Sequence, residues 1–315
     1  MDHALVLEHV TKRFGKFTAV DDLSVSIPKG TIYGFVGQNG AGKTTTIRMV
    51  MSIFHQDSGT IEVLGHRDAS EVKDRLGYLP EEKGLYPKMR TAEIVAYFGK
   101  LKGMDSSTAN LRAEELLRRY GLGNWIDKKC QAMSKGMGQK VQILGTIIHD
   151  PELVILDEPF SGLDPVNRDV MKDTILDMKR EGRTVIFSTH VMEQAEQLCD
   201  SVMMIHRGKL RFAGPLAEIK KGRDFGIRLD YDGDGRLLRD LPGLDHLNDS
   251  GKSAEIFLRP GSDPQQALRW ILERVVVRRF DYSEPSLHEI FVRTVSEADG
   301  DRANLVSRNA NGASS

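Results

Sequence analysis

The chain has 315 residues, of which 40% are hydrophobic and 28% charged, and its formal net charge at pH 7 is −1. This length predicts about two globular domains, and the near-zero charge gives no indication of a nucleic acid partner. No apolar run approaches the roughly 18 residues of a membrane span, and the stretch MDHALVLEHV does not resemble a signal peptide. Cys130 and Cys199 lack the spacing of a disulfide or metal site, which is typical of reduced thiols in a cytosolic protein.

Strand and helix patterns alternate along much of the chain. Strand patterns occur at residues 4–10, 32–37, 153–157, 184–189 and 201–206, and helical patterns at 43–53, 166–181 and 191–200. Several of these strands are nearly continuous apolar runs, as expected for strands that are buried on both faces of a parallel sheet. The alternation therefore predicts an α/β fold with a three-layer core.

Three other segments differ from this alternating pattern. Between residues 85 and 150 helical periodicity replaces the strand patterns, which predicts a helical subdomain inserted into the core. Residues 223–296 contain patterns in the order strand, short helix, strand, helix, strand, which predicts a small α+β domain. Residues 297–315 are mostly small or polar and predict a disordered tail. The core domain is thus predicted to span residues 1–222.

The stretch GFVGQNGAGKTTT lies between a predicted strand and a predicted helix. It contains the pattern G-x-x-x-x-G-K-[ST], and this context is the one in which the pattern forms a phosphate-binding loop. Backbone N–H groups of such a loop surround phosphates, the lysine reaches the β- and γ-phosphates, and the hydroxyl is available to Mg2+. The predicted nucleotide contacts are Gly37, Gln38, Asn39, Gly40, Ala41, Gly42, Lys43, Thr44 and Thr45.

Two adjacent carboxylates, Asp157 and Glu158, follow the apolar run LVIL. Ligands of α/β proteins bind at the carboxyl ends of the strands. Asp157 is therefore predicted to hold Mg2+, directly or through water, and Glu158 to act as the base that polarises an attacking water. By itself the pair would indicate a solvated turn, but the phosphate-binding loop upstream favours the catalytic interpretation.

The order of the motifs resembles that of the ATP-binding subunits of ABC transporters. After the phosphate-binding loop come the serine–glycine segment MSKGMGQK, then LDEP, SGLD and STH. The resemblance covers about residues 4–220 and implies an ATP hydrolase that uses ATP and Mg2+. It also implies that His190 contacts the γ-phosphate and the attacking water, and that Phe14 stacks on adenine. A role in the hydrophobic core is the alternative for Phe14.

In this family two ATP-binding domains pair head to tail, as a homodimer or with a related subunit. The resemblance implies that Ser134, Lys135, Gly136 and Met137 form a signature segment that contacts ATP held by the partner chain. An ordinary helix cap is the alternative for this segment. Asp164, in the SGLD turn that the family calls the D-loop, is implied to couple the two sites across the dimer.

Two charged residues depart from the usual sequence of the family. Glu81 stands where the family usually has glutamine, and Lys135 replaces the first glycine of the signature. A carboxylate beside phosphate oxygens is repulsive, and Lys135 of the partner chain is predicted to offset it; a solvent-exposed Lys135 is the alternative. The implied Mg2+ ligands are Thr44, Glu81 and Asp157.

The segment GYLPEEKGLYPKM and the ending EPSLHEIFV resemble a branch of the family that contains bacterial sodium-extrusion and other export ATPases. The resemblance implies a peripheral subunit on the cytoplasmic face of the cell membrane, where it drives a separate integral permease docked near Leu85, Tyr86 and Pro87. The alternatives are a soluble ABC-type ATPase that acts on ribosomes or DNA, and an inactive scaffold. The single ATP-binding domain disfavours the former, and the presence of Glu158 and His190 disfavours the latter.

Overall fold

The computed structural model describes residues 2–82, 84–221, 226–259, 261–283, 285–292 and 294–295. Residue contacts divide the chain into two compact units, Met1–Leu216 and Ala217–Ser315. The predicted tail at 297–315 and the predicted domain boundary between residues 222 and 223 lie outside the described residues. Within the described part of the chain, no helix is both long enough and apolar enough to span a membrane.

The strands of the first unit form two sheets. In chain order they are β1 (His3–Phe14), β2 (Phe17–Pro28), β3 (Ile32–Val36), β4 (Ser58–Val63), β5 (Leu76–Leu79), β6 (Leu153–Leu156), β7 (Thr184–Thr189), β8 (Ser201–His206) and β9 (Lys209–Pro215). The central sheet has the order β5-β6-β7-β3-β8-β9, with parallel pairing from β5 to β8 and an antiparallel edge strand, β9. Every residue of β3, β6 and β7 is buried, as their continuous apolar runs predict. The predicted α/β fold is confirmed.

The first predicted strand, residues 4–10, lies in a separate antiparallel sheet with the order β2-β1-β4. The strands β2 and β4 were not predicted: the adjacent acidic residues Asp21 and Asp22 interrupt the pattern of β2, and serine and glycine begin β4. The strand β5 was not predicted because it has only four residues, and β9 was not predicted because it is an edge strand without a buried apolar run. This second sheet packs its buried side chains into the same hydrophobic core as β3, beside the phosphate-binding loop.

Helices connect the strands of the first unit, and the predicted helical insert is present. In chain order they are α1 (Lys43–Val50), α2 (Thr91–Leu101), α3 (Ser106–Arg119), α4 (Lys135–Ile147), α5 (Pro165–Arg180), α6 (Met192–Leu198) and α7 (Leu216–Lys220). The insert consists of α2, α3 and α4, which pack against one another. The helix predicted over 43–53 ends earlier because Ser52 adopts a left-handed conformation with a φ of 53°.

The second unit is a small α+β unit. Its elements are β10 (Gly226–Asp232), β11 (Leu244–Asp249), β12 (Ser253–Leu258), α8 (Pro264–Leu272) and β13 (Val276–Ser283), and its antiparallel sheet has the order β11-β12-β10-β13. Ile227, Leu229, Ile256 and Ile271 belong to its own hydrophobic core. The edge strand β11 was not predicted, because its sequence LDHLND is mostly polar and none of its residues is buried.

Candidate functional site

The phosphate-binding loop connects the end of β3 to the start of α1, as the sequence predicts. Gly42 precedes α1 with a φ of 114°, and a side chain there would place its Cβ 2.6 Å from the carbonyl oxygen of Ala19. Only glycine combines this backbone conformation with so close an approach. The loop therefore holds its N–H groups at a helix N-terminus, where an anion is favoured.

Lys43 lies inside this loop, with only 5% of its surface exposed. Its Nζ donates hydrogen bonds to the carbonyl oxygens of Gly37, at 2.8 Å, and of Gln38, at 3.2 Å. The same ammonium lies 3.4 Å from Oε1 of Glu158. The cation is thus fixed between the loop and a carboxylate, where it can contact a phosphate bound by the loop.

The two predicted carboxylates lie together at the carboxyl end of β6 and are almost fully buried. The Thr44 hydroxyl lies 3.3 Å from Oδ1 of Asp157, so the Mg2+ ligands expected on α1 and β6 meet. Glu158 has a φ of 48°, a left-handed conformation that is uncommon for a residue with a side chain. Within the described part of the chain, Oδ2 of Asp157 and Oε1 of Glu158 are buried without a hydrogen-bond partner.

His190 follows β7 and reaches the same place. Its Nδ1 lies 3.0 Å from Oε2 of Glu158, and its ring is half exposed while the carboxylate is buried. The order of the central sheet explains this contact, because β6 and β7 are parallel neighbours whose carboxyl ends lie side by side. The histidine is therefore placed to hold Glu158 on one side while its other face remains open to a ligand.

A cavity of about 400 Å³ opens beside these groups. The residues that line it include Glu81 and Glu158, together with most of the predicted phosphate-binding loop. Those lining residues of the loop are Asn39, Gly40, Ala41, Gly42, Lys43, Thr44 and Thr45. Glu81 and Glu158 are far apart in sequence, so it is the fold that brings both carboxylates to the loop.

The residues present fit a Mg2+ ion that arrives with a nucleotide. Among the described residues, no group of three or more His, Cys, Asp or Glu could hold a metal ion by itself. Mg2+ in nucleotide sites is usually held by one or two carboxylates and by the phosphates of the substrate. The Thr44 hydroxyl and the buried Oδ2 of Asp157, with Glu81 at the cavity wall, match that donor set. The three side chains thus fit a Mg2+ ion that is also bound by the phosphates of a nucleotide, and they do not form a site for Mg2+ alone.

The residue predicted to stack on adenine, Phe14, does not line the cavity. Phe17, which sequence reasoning did not single out, lines the cavity and is 62% exposed. Phe14, its partner across the β1–β2 hairpin, is absent from the cavity wall, and its ring packs edge-on against Phe54 at 5.8 Å. The two phenylalanines are direct partners in the β1–β2 hairpin, yet only Phe17 lines the cavity, whereas Phe14 packs against Phe54.

Replacement of the two phenylalanines one at a time tests which ring stacks on the base. We expect Phe17→Ala to raise the Kd for ATP about tenfold, because stacking on an aromatic ring contributes about 1–3 kcal/mol per base. Phe14→Ala, the matched control, is expected to have the smaller effect. Titration with a fluorescent ATP analogue measures both values. A larger loss in Phe14→Ala would contradict the role of Phe17 and restore the residue implied by the family resemblance.

The signature segment begins α4 and does not line the cavity of its own chain. Ser134 is the N-cap residue, and its hydroxyl accepts a hydrogen bond from the N–H of Met137 at 3.3 Å. Gly136 faces the side chain of Asn167 so closely that a Cβ would not fit. The helix cap that was the alternative interpretation of this segment is therefore present. The contact with ATP of a second chain stays a prediction.

Lys135 and Asp164 belong to neighbouring parts of the same chain. The ammonium of Lys135 lies against Gly162, in the turn that leads to Asp164. Asp164 caps α5 by accepting a hydrogen bond from the N–H of Asn167 at 3.0 Å, which holds the pKa of that carboxyl below its usual range. The predicted offset between Lys135 and Glu81 of a second chain, and the predicted coupling by Asp164, stay predictions.

Gln139 is a second residue that sequence reasoning did not single out. It is buried in α4, and its side-chain amide donates to the carbonyl of Pro159, directly after Glu158. The hydrogen bond joins the helix that starts with the signature to the loop that carries Glu158. A glutamine in a helical pattern gives no sequence signal for such a contact, because its partner lies twenty residues away.

The chain is similar to known ATP-binding proteins. Residues 20–161 match the family described as ABC transporter, and residues 214–295 match the family described as ATP-binding protein DrrA1-3-like, C-terminal domain. The uncharacterized ABC transporter ATP-binding protein YhaQ of Bacillus subtilis (strain 168) is 37% identical to the chain over 294 residues, which cover 92% of this chain and 98% of that relative. The chain belongs to the ATP-binding proteins of ABC transporters.

A second relative and a solved structure support the same family assignment. Nod factor export ATP-binding protein I of Burkholderia lata is 33% identical over 90% of this chain and 94% of its own length. A solved structure described as the ATP-binding subunit of an ABC transporter shares 28% identity and has a TM-score of 0.62, covering 69% of this chain and 92% of its own. The family resemblance and the P-loop fold predicted from the sequence are confirmed. As a member of the family, the chain is an ATP-hydrolysing transport ATPase.

Proposed function

We propose that this ABC ATP-binding protein closes on a second ATP-binding subunit around bound MgATP and thereby drives an integral membrane permease, in the direction of export. One observation carries the proposal. Lys43, Glu158 and His190 come from three different segments and meet in the fold. Nζ of Lys43 lies 3.4 Å from Oε1 of Glu158, and Nδ1 of His190 lies 3.0 Å from Oε2 of the same carboxylate. This set contains a phosphate-binding cation, a base and a group that orients the base.

The proposed chemistry assigns a separate task to each side chain. The loop N–H groups and Lys43 bind the β- and γ-phosphates, and Glu158 accepts a hydrogen bond from the attacking water and withdraws its proton. His190 holds Oε2 of Glu158, while Oε1, 3.4 Å from Nζ of Lys43 and without a hydrogen-bond partner among the described residues, accepts the hydrogen bond from the water. Mg2+, when bound with the nucleotide through Thr44, Asp157 and Glu81, supplies positive charge to the phosphate oxygens.

The position of the signature supports pairing between two chains. Ser134, Lys135, Gly136 and Met137 start a helix outside the cavity that the phosphate-binding loop lines. A site that uses both the loop and the signature therefore needs the loop of one chain and the signature of another. A homodimer and a pair with a related subunit both satisfy this requirement.

A mixing experiment tests the two-chain site. Lys43→Ala removes the phosphate-binding cation and Ser134→Ala removes the signature hydroxyl, so each variant alone is expected to have less than about a tenth of wild-type ATPase activity. In a mixture, a heterodimer contains one site with an intact loop and an intact signature. We expect the mixture to exceed the summed activity of the two variants several-fold. Activity of the mixture equal to that sum would contradict the head-to-tail arrangement.

A second surface supports the proposed permease partner. A cavity of about 300 Å³ lies between α2, α4 and the end of β5, and Tyr78, Phe98 and Leu101 are among the side chains that line it. His149 also lines it, and burial lowers the pKa of its imidazole to about 4, so the ring is neutral near pH 7. Tyr86, implied by the family resemblance to lie where the permease docks, is 54% exposed and packs edge-on against Tyr97.

The relatives support the proposed direction of transport and the proposed location of the protein. The name of the Burkholderia lata relative states that it serves export, and a family named after DrrA matches the C-terminal unit. We extend export to this chain as part of the proposal. Docking on a permease would hold the protein at the cytoplasmic face of the membrane. One relative is named an ABC transporter ATP-binding protein and the other an export ATP-binding protein, which favours transport over the soluble alternative.

A further inference from the structure

Ser188, the first residue of the STH segment, contacts both Asp157 and Glu158, although no role was predicted for it. It is the fifth residue of β7 and has no exposed surface. Its Oγ lies 2.6 Å from Oδ1 of Asp157 and 2.9 Å from the backbone nitrogen of Glu158. One hydroxyl of a neighbouring strand thus contacts both residues at the end of β6.

The chemistry of the groups fixes the direction of both hydrogen bonds. A backbone N–H can only donate, so the Ser188 oxygen accepts from Glu158. The single hydroxyl proton is then donated to the Asp157 carboxylate, which is an acceptor. Short hydrogen bonds to a charged group are the stronger ones, and the 2.6 Å contact belongs to that class.

Each bond constrains a different feature of the site. Glu158 adopts its left-handed backbone conformation while Ser188 binds its N–H, so the hydroxyl supports the turn that aims this side chain at Lys43 and His190. The bond to Oδ1 of Asp157 sets the rotation of that carboxylate and leaves the buried Oδ2 without a partner among the described residues. The only other donor recorded for Oδ1 in that part of the chain is Thr44, at the longer distance of 3.3 Å.

We propose that Ser188 is a positioning residue for ATP hydrolysis, which fixes Asp157 for Mg2+ and Glu158 for the attacking water through one hydroxyl group. The inference rests on the roles proposed above for those two carboxylates. Groups that orient metal ligands and catalytic bases through hydrogen bonds commonly matter almost as much as the ligands themselves.

The neighbouring hydroxyl cannot take over this task. Thr189 is also fully buried, but its Oγ1 is bound to the Gln194 side chain at 2.7 Å and to the N–H of Val191 at 3.0 Å. Successive side chains of a strand point to opposite faces, so Thr189 faces away from the side that Ser188 faces. Thr189 therefore cannot replace the Ser188 hydroxyl as partner of the Asp157 carboxylate and of the Glu158 N–H.

Ser188→Ala in the full-length chain tests the proposal through two readouts. We expect kcat to fall at least tenfold, because the base and the Mg2+ ligand lose their common support. We also expect the Mg2+-dependent gain in ATP affinity to fall at least fivefold, while the Kd for ATP in EDTA stays within twofold of wild type. Titration with a fluorescent ATP analogue, with and without Mg2+, measures the second effect independently of turnover.

Thr184→Val is the matched control. Thr184 lies at the other end of the same strand, is buried, and its hydroxyl accepts a backbone N–H from Gly30 at 2.9 Å. This variant also loses a buried hydroxyl bond but leaves the carboxylates untouched, so kcat and the Mg2+ effect should stay within twofold of wild type. Ser188→Thr, which keeps the hydroxyl, is expected to recover most of the activity that Ser188→Ala loses.

Several outcomes would overturn the inference. A folded Ser188→Ala protein with kcat and the Mg2+ effect within twofold of wild type would do so, as would equal losses in Thr184→Val. If Ser188→Ala does not fold, Ser188→Cys, which has a similar volume and a weaker donor, is measured with the same limits. The variants Asp157→Asn and Glu158→Gln distinguish a failure of the proposed function from a failure of the proposed role of Ser188. Wild-type turnover in those variants would refute the proposed function, whereas losses there without a loss in Ser188→Ala would refute only the role of Ser188.

Discussion

Replacement of Glu158 by glutamine is expected to lower ATP turnover at least a hundredfold while leaving ATP binding within a few-fold of wild type. The amide has nearly the same shape as the carboxylate but cannot accept the proton of the attacking water, and loss of a general base commonly costs a factor of about 100–10,000 in rate. The loop N–H groups and Lys43, which bind the phosphates, are unchanged. Turnover is measured by phosphate release, and binding by titration with a fluorescent ATP analogue.

The same variant should accumulate the closed dimer. When hydrolysis is blocked, ATP stays bound and continues to join the loop of one chain to the signature of the other. We expect size-exclusion chromatography of Glu158→Gln with ATP and Mg2+ to show a shift from monomer to dimer, and no shift without nucleotide. A monomer peak that does not change at saturating ATP would count against the proposed closure.

Glu152→Gln provides the matched control for this experiment. Glu152 directly precedes β6, at the end opposite to Glu158, and its half-exposed carboxylate pairs with Arg75 at 2.6 Å. Exposed pairs of this kind contribute only about 0–1 kcal/mol, so turnover and oligomeric state should match those of the wild type. An equal loss of turnover in Glu152→Gln would show that the effect at Glu158 reflects general destabilisation of the strand rather than the loss of a base.

Lys43→Ala is expected to abolish measurable ATP binding, with a Kd at least a hundredfold above that of wild type. The ammonium is fixed by the carbonyls of Gly37 and Gln38, so its position does not depend on a flexible side chain in solvent. Removal of the positive partner leaves the triphosphate close to the buried carboxylate of Glu158. A hundredfold change in Kd corresponds to about 2.7 kcal/mol, within the range for a charge-assisted contact in a protected site.

Two controls separate binding from folding in this variant. Lys43→Met removes the charge but keeps the length of the side chain, and it is expected to lose binding as Lys43→Ala does. Lys29→Ala removes a lysine whose partner is Asp2 on the surface, and it should bind ATP like the wild type. Thermal unfolding followed by circular dichroism confirms that each protein is folded. Binding within fivefold of wild type in folded Lys43→Ala would contradict the assigned role of the loop.

The sequence by itself determined the fold class and the parts of the site that depend on local chemistry. The phosphate-binding loop is encoded by glycines that permit its backbone and by a lysine and a threonine at fixed spacing, so its structure follows from consecutive residues. The runs LVIL and TVIFST are buried strands because they consist of apolar residues and, in the second run, small hydroxyl residues without charge. The residues that follow them, Asp157 and His190, therefore lie at one edge of the sheet. These features need no knowledge of which strands are neighbours.

The tertiary structure alone decided the contacts that depend on strand order and register. Ser188 in TVIFST looks like any small residue of a buried strand, and it bridges Asp157 and Glu158 only because β7 lies directly beside β6. Phe17, rather than Phe14, lines the cavity, and Phe14 instead packs against Phe54, which lies forty residues further along the chain. The reason is physical: a hydrogen bond or a ring contact acts over a few ångströms in space, and residues far apart in sequence come that close only after the sheet has formed.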